Sequence, residues 1–173
     1  SSKVFFAFSF KTFIIGVPNE KFSNIKLITE DLSEEELVKL YHDHDVLIYP
    51  SYGEGFGFIP LQALVTGMPT ICTGAWAHYD NYLGPLRLKS KLIDSPWPFP
   101  HEGQVFEPNY QHLLELMRDV VNNSNAYSGY YFAQSTKIHE EYNWNQLTNN
   151  AFGPIVKNLA RTRPLNKSLL ELD

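Results

Sequence analysis

The sequence predicts an α/β domain: a doubly wound parallel sheet with helices on both faces. Three observations predict it. The apolar runs KTFIIG (Lys11–Gly16), DVLIY (Asp45–Tyr49) and PTIC (Pro69–Cys72) are short and continuous rather than alternating, as strands buried on both faces are. Amphipathic segments of helical period lie between such runs. A glycine-rich turn, SYGEGFG, joins one strand to the next helix, at the place where parallel sheets bind ligands.

The elements follow in order. Val4–Phe10 is apolar after Lys3 and reads as a buried helix end. Lys11 interrupts the run and no small-residue cleavage site follows, which argues against a signal peptide. Lys11–Gly16 is a strand whose exit turn is marked by Gly16 and Pro18, and Asn24–Thr29 is a second strand. Ser33 and Glu36 form a capping box with Leu32 and Leu37 at staple spacing. The helix they start runs to about Tyr41–His44 and buries Leu37, Leu40 and Tyr41. Asp45–Tyr49 is a strand closed by Pro50. The next helix covers about Phe58–Thr66 and ends at Gly67; Pro60 is tolerated because it falls in the first turn. Pro69–Cys72 is a strand. Thr73–Glu107 is read as loops with strand fragments at Leu86–Ile93 and Gln104–Phe106. Asn109 caps a helix carrying Leu113, Leu114, Met117, Val120 and Val121 at helical spacing. Tyr127–Tyr142 marks another helix, and Gln146–Leu159 a third, broken near Gly153-Pro154. Residues 1–160 are expected to form one domain, with a polar tail at 161–173.

Bulk properties exclude some functions. The 173 residues are 43% hydrophobic and 14% aromatic, enough for a core. A net charge of -5 argues against a nucleic-acid partner, which selects a basic face. Cys72 is the only cysteine, so neither an internal disulfide nor a multi-cysteine zinc site can form. This suits a reducing compartment, and a cytoplasmic location is expected. No run reaches the ~20 apolar residues of a membrane span.

The chemistry concentrates in Leu47–Gly67. Gly55 and Gly57 carry no side chain, so backbone amides there can approach a ligand closely. The amides opening the next helix lack internal partners and lie at the positive end of its dipole, which suits phosphate or sugar hydroxyls. Glu54, at the lip of the turn, can accept hydrogen bonds from sugar hydroxyls. The alternative is that the glycines only make a tight turn and Glu54 only complements the helix dipole.

The segment PSYGEGFGFIPLQALVTGMPTI resembles the signature of the group 1 retaining glycosyltransferases, roughly P-S-x-x-E-G-F-G-x-x-x-x-E-A-x-x-x-G-x-P-V-I. Pro50, Ser51, Glu54, Gly55, Phe56, Gly57, Ala63, Gly67, Pro69 and Ile71 match. Lys11–Pro18 is similar to the family's preceding strand and turn, Leu32–Tyr49 to its next helix and strand, and Tyr142–Gln146 with Trp144 to a stretch near its C-terminus. The resemblance implies a Rossmann-like, C-terminal half of the glycosyltransferase B fold. It also implies metal-independent transfer from a nucleotide-diphosphate sugar with retention, and no cofactor beyond that donor substrate. Glu54 then falls on the acidic residue that binds donor-sugar hydroxyls and is the catalytic candidate. Gly55, Phe56, Gly57 and Phe58 match the backbone lining sugar and diphosphate, and Gly16 lies in the donor-side turn.

Three departures accompany the match. Gln62 stands where the family has a second acidic residue for the ribose hydroxyls, which forgoes charge-assisted bonds. The first strand, with the Arg and Lys that clamp the diphosphate, and the N-terminal acceptor domain have no counterpart. The chain therefore reads as part of a longer enzyme, inactive by itself. The loop Gly74–Asp80, GAWAHYD, lacks the paired glycines and acid usual there. The competing reading is a non-catalytic binding or interaction module, favoured by Gln62 and the missing clamp; a sugar-nucleotide epimerase fits the motif less well.

Other candidates carry weaker signals. His42, Asp43, His44 and Asp45 are adjacent at a helix end and point apart rather than converging on a metal; histidines there more often cap carbonyls. His78 and Asp80 read as surface loop. Trp76, Trp97 and Phe99 read as packed loop aromatics, with sugar stacking the alternative. Cys72 reads as inert core.

Overall fold

A computed structural model describes residues 4–6, 28, 31–75, 83–97, 99 and 102–162. The chain divides into two compact units, Ser1–Ser135 and Thr136–Asp173. The first holds a parallel sheet of four strands in the order β1 (Val4–Phe6), β2 (Val46–Tyr49), β3 (Thr70–Thr73), β4 (Arg87–Leu88). The register runs Val4↔Val46, Leu47↔Thr70 and Cys72↔Arg87. Every residue of β2 and β3 is buried, so both faces of this part of the sheet are covered, as the continuous apolar runs require.

Val4–Phe6 corrects one expectation, since it is a strand and not a helix end. β1 satisfies the row of β2 backbone groups that β3 leaves unpaired. That pairing is tertiary, and the residue types Val-Phe-Phe suit it. The predicted strand Lys11–Gly16, with Gly16, lies outside the described residues. So does Asn24–Thr29 except Ile28, which has no regular structure.

Helix α1 (Glu34–His42) begins as the capping box dictates. Glu36 N–H donates to Ser33 Oγ at 3.2 Å, and Ser33 N–H to Glu36 Oε2 at 2.8 Å. Tyr41 is buried, whereas Leu37 and Leu40 are half-buried and Leu32 is exposed. Ser33→Ala is expected to cost about 1 kcal/mol, because it orphans one helix-start amide; a shifted urea midpoint at unchanged slope would show it.

Helix α2 (Phe58–Val65) packs on β2 and β3 through Leu61, Ala63 and Leu64. Gly67, in the left-handed region at φ 78, ends it, and Met68 N–H bonds Ala63 O at 3.0 Å. The fragment expected at Leu86–Ile93 divides at Lys89. There the backbone N–H donates to His112 Nδ1 at 3.1 Å, and the carbonyl accepts from Asn109 N–H at 2.8 Å. With both groups spent on α3 (Tyr110–Asn122) and its cap, β4 ends. β5 (Ser90–Asp94) pairs antiparallel with β6 (Gln104–Pro108) in a separate ribbon. Asn109 Oδ1 caps α3 by accepting from His112 N–H at 2.8 Å. The buried stripe of α3 is Leu113, Leu116 and Val120, while Val121 is exposed, so Leu116 displaces Val121 from the predicted face.

Tyr131 on α4 (Ser124–Glu141) is fully buried, and its hydroxyl donates to Leu83 O. Burial pushes its phenol well above the usual range. Tyr127, also on α4, donates to Asp119 Oδ2, and that carboxylate holds the phenol up at about 12.

In the second unit, Asn143 caps α5 (Trp144–Leu147) by accepting from Asn145 N–H at 2.9 Å. The break expected near Gly153-Pro154 is a π-helical turn at Thr148–Phe152, after which α6 (Gly153–Thr162) continues. Pro154 has no amide to donate into the preceding turn, so a widened turn accommodates it. α6 extends through Thr162, into the segment expected as tail.

Candidate functional site

The site forms where β2 leaves the sheet. Ser51 N–H bonds Tyr49 O at 3.0 Å, which turns the chain at Pro50. Ser51 Oγ then donates to Gly53 O at 2.9 Å and accepts from Gly53 N–H at 3.1 Å. This local lock fixes the loop so that Glu54 folds back beside the strand end. Tyr49, the last residue of β2, donates its phenolic proton to Glu54 Oε1, and Ser51 Oγ lies 3.3 Å from the same oxygen. Glu54 is half-buried. Its negative charge also reaches Cys72 on β3, paired in register with Tyr49. Burial first, and that charge second, raise the Cys72 thiol. The thiol is therefore unreactive at neutral pH, as expected of a core cysteine.

Gly57 is the residue before α2 and is buried, with φ 73 and ψ 59. A side chain in this left-handed conformation costs roughly 1–2 kcal/mol, so glycine is required by the backbone here. The carbonyl of Gly57 accepts from Leu61 N–H at 3.3 Å, and Pro60 has no amide. The helix start therefore offers the amides of Phe58 and Ile59 to a ligand.

Gly55 differs. It is exposed, and a Cβ built there would meet nothing within 4 Å. Neither strain nor crowding inside the chain requires glycine at that position. The rings of Phe56 and Phe58 meet at 4.8 Å between centroids, and both are exposed beside the turn. The turn thus carries a carboxylate, two helix-start amides and an aromatic rim.

Gln62, four residues into α2, is tied to α1. Tyr41, buried and pushed up to about 12 by that burial, places its hydroxyl 3.1 Å from Gln62 Oε1 and 3.3 Å from Ile59 O. With its carbonyl oxygen engaged, Gln62 has its amide NH2 to offer outward. At that position it is a donor where a carboxylate would be an acceptor.

Two further features lie at the carboxyl edge. The Arg87 stem crosses the backbone of Gly74, where a Cβ would collide with it, and this brings a guanidinium to the edge. Thr73 Oγ1 is buried without a hydrogen-bond partner among the described residues. On the opposite side of the turn, Tyr52 O accepts from Phe106 N–H at 2.9 Å and joins the turn to β6. The Tyr52 ring meets Trp97 edge-on at 5.1 Å, which gives that tryptophan a packing partner; Phe99 is 91% exposed. Trp76, His78 and Asp80 lie outside the described residues.

His44 behaves as helix-end chemistry predicts, with Nδ1 2.7 Å from Leu40 O, and Asp43 pairs with Lys39 at 2.7 Å. Among the described residues no three His, Cys, Asp or Glu side chains are grouped to hold a metal. None of the described helices is long and apolar enough to cross a membrane.

Tyr49 and Tyr41 are the site residues that motif reasoning misses. Each is a tyrosine among aliphatic core positions, and a buried phenol needs a polar partner. That need was the available signal.

Residues 23–78 of the chain match a family described as "Glycosyl transferases group 1". The match includes the whole turn and both flanking strands. The chain is also 28% identical, over 153 residues, to "Uncharacterized protein 356" of Sulfolobus islandicus rod-shaped virus 1. That alignment covers 83% of this chain and 40% of the viral protein, so the chain spans well under half of that relative's length.

Proposed function

We propose, with the group 1 glycosyltransferase match over residues 23–78 as premise, that this chain binds the donor in retaining transfer from a nucleotide-diphosphate sugar. The observation that carries the reading is Glu54. Its carboxylate is folded against the end of β2, with Oε1 held by Tyr49, next to a turn that leads directly into the α2 amides. Glu54 receives hydroxyls of the donor sugar. Gly55, Phe56, Gly57 and Phe58 line the sugar and diphosphate, Gln62 faces the ribose, and Gly16 contributes the donor-side turn.

Departure of the nucleoside diphosphate builds negative charge, which the helix-start amides and dipole stabilise. The scheme calls on no metal and no cofactor. In the doubly wound glycosyltransferase B arrangement, an N-terminal domain binds the acceptor, and catalysis requires both halves. The four-stranded parallel sheet with both faces covered supports this architecture.

A non-catalytic sugar-nucleotide-binding module is the second reading. The tie between Gln62 and Tyr41 favours it, because it replaces a charged ribose grip with a neutral one.

Titration calorimetry with UDP-glucose, GDP-mannose and ADP-glucose tests the binding that both readings share; no heat from any common donor would sink it. Transfer or slow hydrolysis of the bound donor then separates enzyme from module. Gly55→Ala is a sharper probe. A methyl there meets nothing in the chain, so thermal stability should hold or rise by about 0.4–1 kcal/mol. Donor affinity should fall, because the methyl occupies ligand space. Unchanged affinity would remove Gly55 from the donor site.

A further inference from the structure

Glu54 has two oxygens in unlike surroundings. Oε1 receives the phenolic proton of Tyr49, which is 2% exposed and held in β2. Ser51 Oγ is 3.3 Å from Oε1 but 2.9 Å from Gly53 O. Its single proton is better spent on Gly53, which leaves Tyr49 as the main donor. Oε2 has no hydrogen-bond partner among the described residues.

We propose that Tyr49 is a positioning residue: it anchors Oε1, so that the Glu54 carboxylate is held in place with Oε2 open to the hydroxyls of the donor sugar. The inference rests on Glu54 being the sugar-binding residue. A free glutamate samples several rotamers and loses that freedom when it grips a ligand. A carboxylate already held by a buried phenol has lost much of it beforehand, which improves affinity.

Among the described residues, the groups that face Glu54 are few. Tyr49 comes from β2, Ser51 from the turn, and Cys72 from β3 with its thiol protonated. No described lysine, arginine or histidine forms an ion pair with it.

The test compares the wild type, Tyr49→Phe and Glu54→Gln by calorimetric titration. UDP-glucose, GDP-mannose and ADP-glucose, and the matching nucleoside diphosphates, are titrated at neutral pH. Phenylalanine keeps the ring in β2, and a thermal melt verifies the fold. Tyr49→Phe is expected to weaken the sugar nucleotide about 3- to 10-fold and to leave the diphosphate unchanged. Glu54→Gln is expected to remove the sugar-dependent part of the affinity. If Tyr49→Phe keeps that part while Glu54→Gln loses it, the anchor is overturned and the Glu54 reading stands. Equal weakening of sugar nucleotide and diphosphate by Tyr49→Phe means a merely structural tyrosine and also overturns the proposal. Wild-type affinities in Glu54→Gln would overturn the sugar-binding reading, and the anchor with it.

Discussion

Glu54→Gln is expected to lower affinity for a bound nucleotide-diphosphate sugar roughly 10- to 100-fold, while the nucleoside diphosphate alone binds as before. In the proposed role the carboxylate accepts charge-assisted hydrogen bonds from sugar hydroxyls, each contributing about 1.5–3 kcal/mol, and each 1.4 kcal/mol is about tenfold in affinity. The substitution is nearly isosteric. The amide oxygen can still accept from Tyr49, so the strand end keeps its hydrogen bond and stability changes little. The loss then reads as recognition rather than unfolding. Glu54→Ala should weaken binding as well, but it strands the buried Tyr49 phenol and mixes a stability cost into the result. Calorimetric titration of both ligand classes into wild type and variant measures the difference. Equal affinity for the sugar nucleotide in both would remove Glu54 from the site.

The largest effect on stability is expected at Leu64. This residue is 0% exposed and lies on the face of α2 packed against β2 and β3. Leu64→Ala removes buried methyl groups and leaves a cavity among side chains that relax only partly. The cost should be about 2–5 kcal/mol, against the 5–15 kcal/mol by which domains of ordinary size are stable. A domain of this size loses roughly 2–4 °C in Tm for each kcal/mol. Val38→Ala is the control: Val38 is 53% exposed on α1, and its truncation should cost no more than about 0.5 kcal/mol. Thermal denaturation followed by circular dichroism distinguishes them. Similar small shifts for both would mean that α2 is not packed on the sheet as described. The two predictions are linked, because in the proposed function the α2 amides face the diphosphate. A variant that loosens α2 should also blur donor binding, whereas Glu54→Gln should not loosen α2.

The elements legible from sequence were those with short-range causes. Ser33 and Glu36 start α1 because each satisfies the other's backbone within one turn. Asn109 caps α3 by the same logic. β2 and β3 were visible as continuous apolar runs because both faces are covered, and no polar residue was needed to interrupt them. The turn at residues 51–57 was legible because Gly57 needs a left-handed backbone and α2 follows at once. Where signals were even-handed, sequence reasoning chose wrongly or stayed vague. Val-Phe-Phe at the N-terminus suits a buried helix end as well as a strand. Only the open side of β2 makes it a strand. Leu86–Ile93 looked like one fragment; a backbone contact from α3 at Lys89 splits it between two sheets.

By itself the sequence determined that an α/β chain carries a strand–turn–helix with a carboxylate at its lip. Capping, glycine geometry and apolar period act over a few residues, so they survive without knowledge of the rest of the fold. Only the tertiary structure decided what that carboxylate and its neighbour Gln62 do. Tyr49 takes one oxygen of Glu54, and Tyr41, from a different helix, takes the carbonyl oxygen of Gln62. A buried phenol must find an acceptor. Which acceptor lies within reach depends on how strand and helix are brought together, and no local pattern records that.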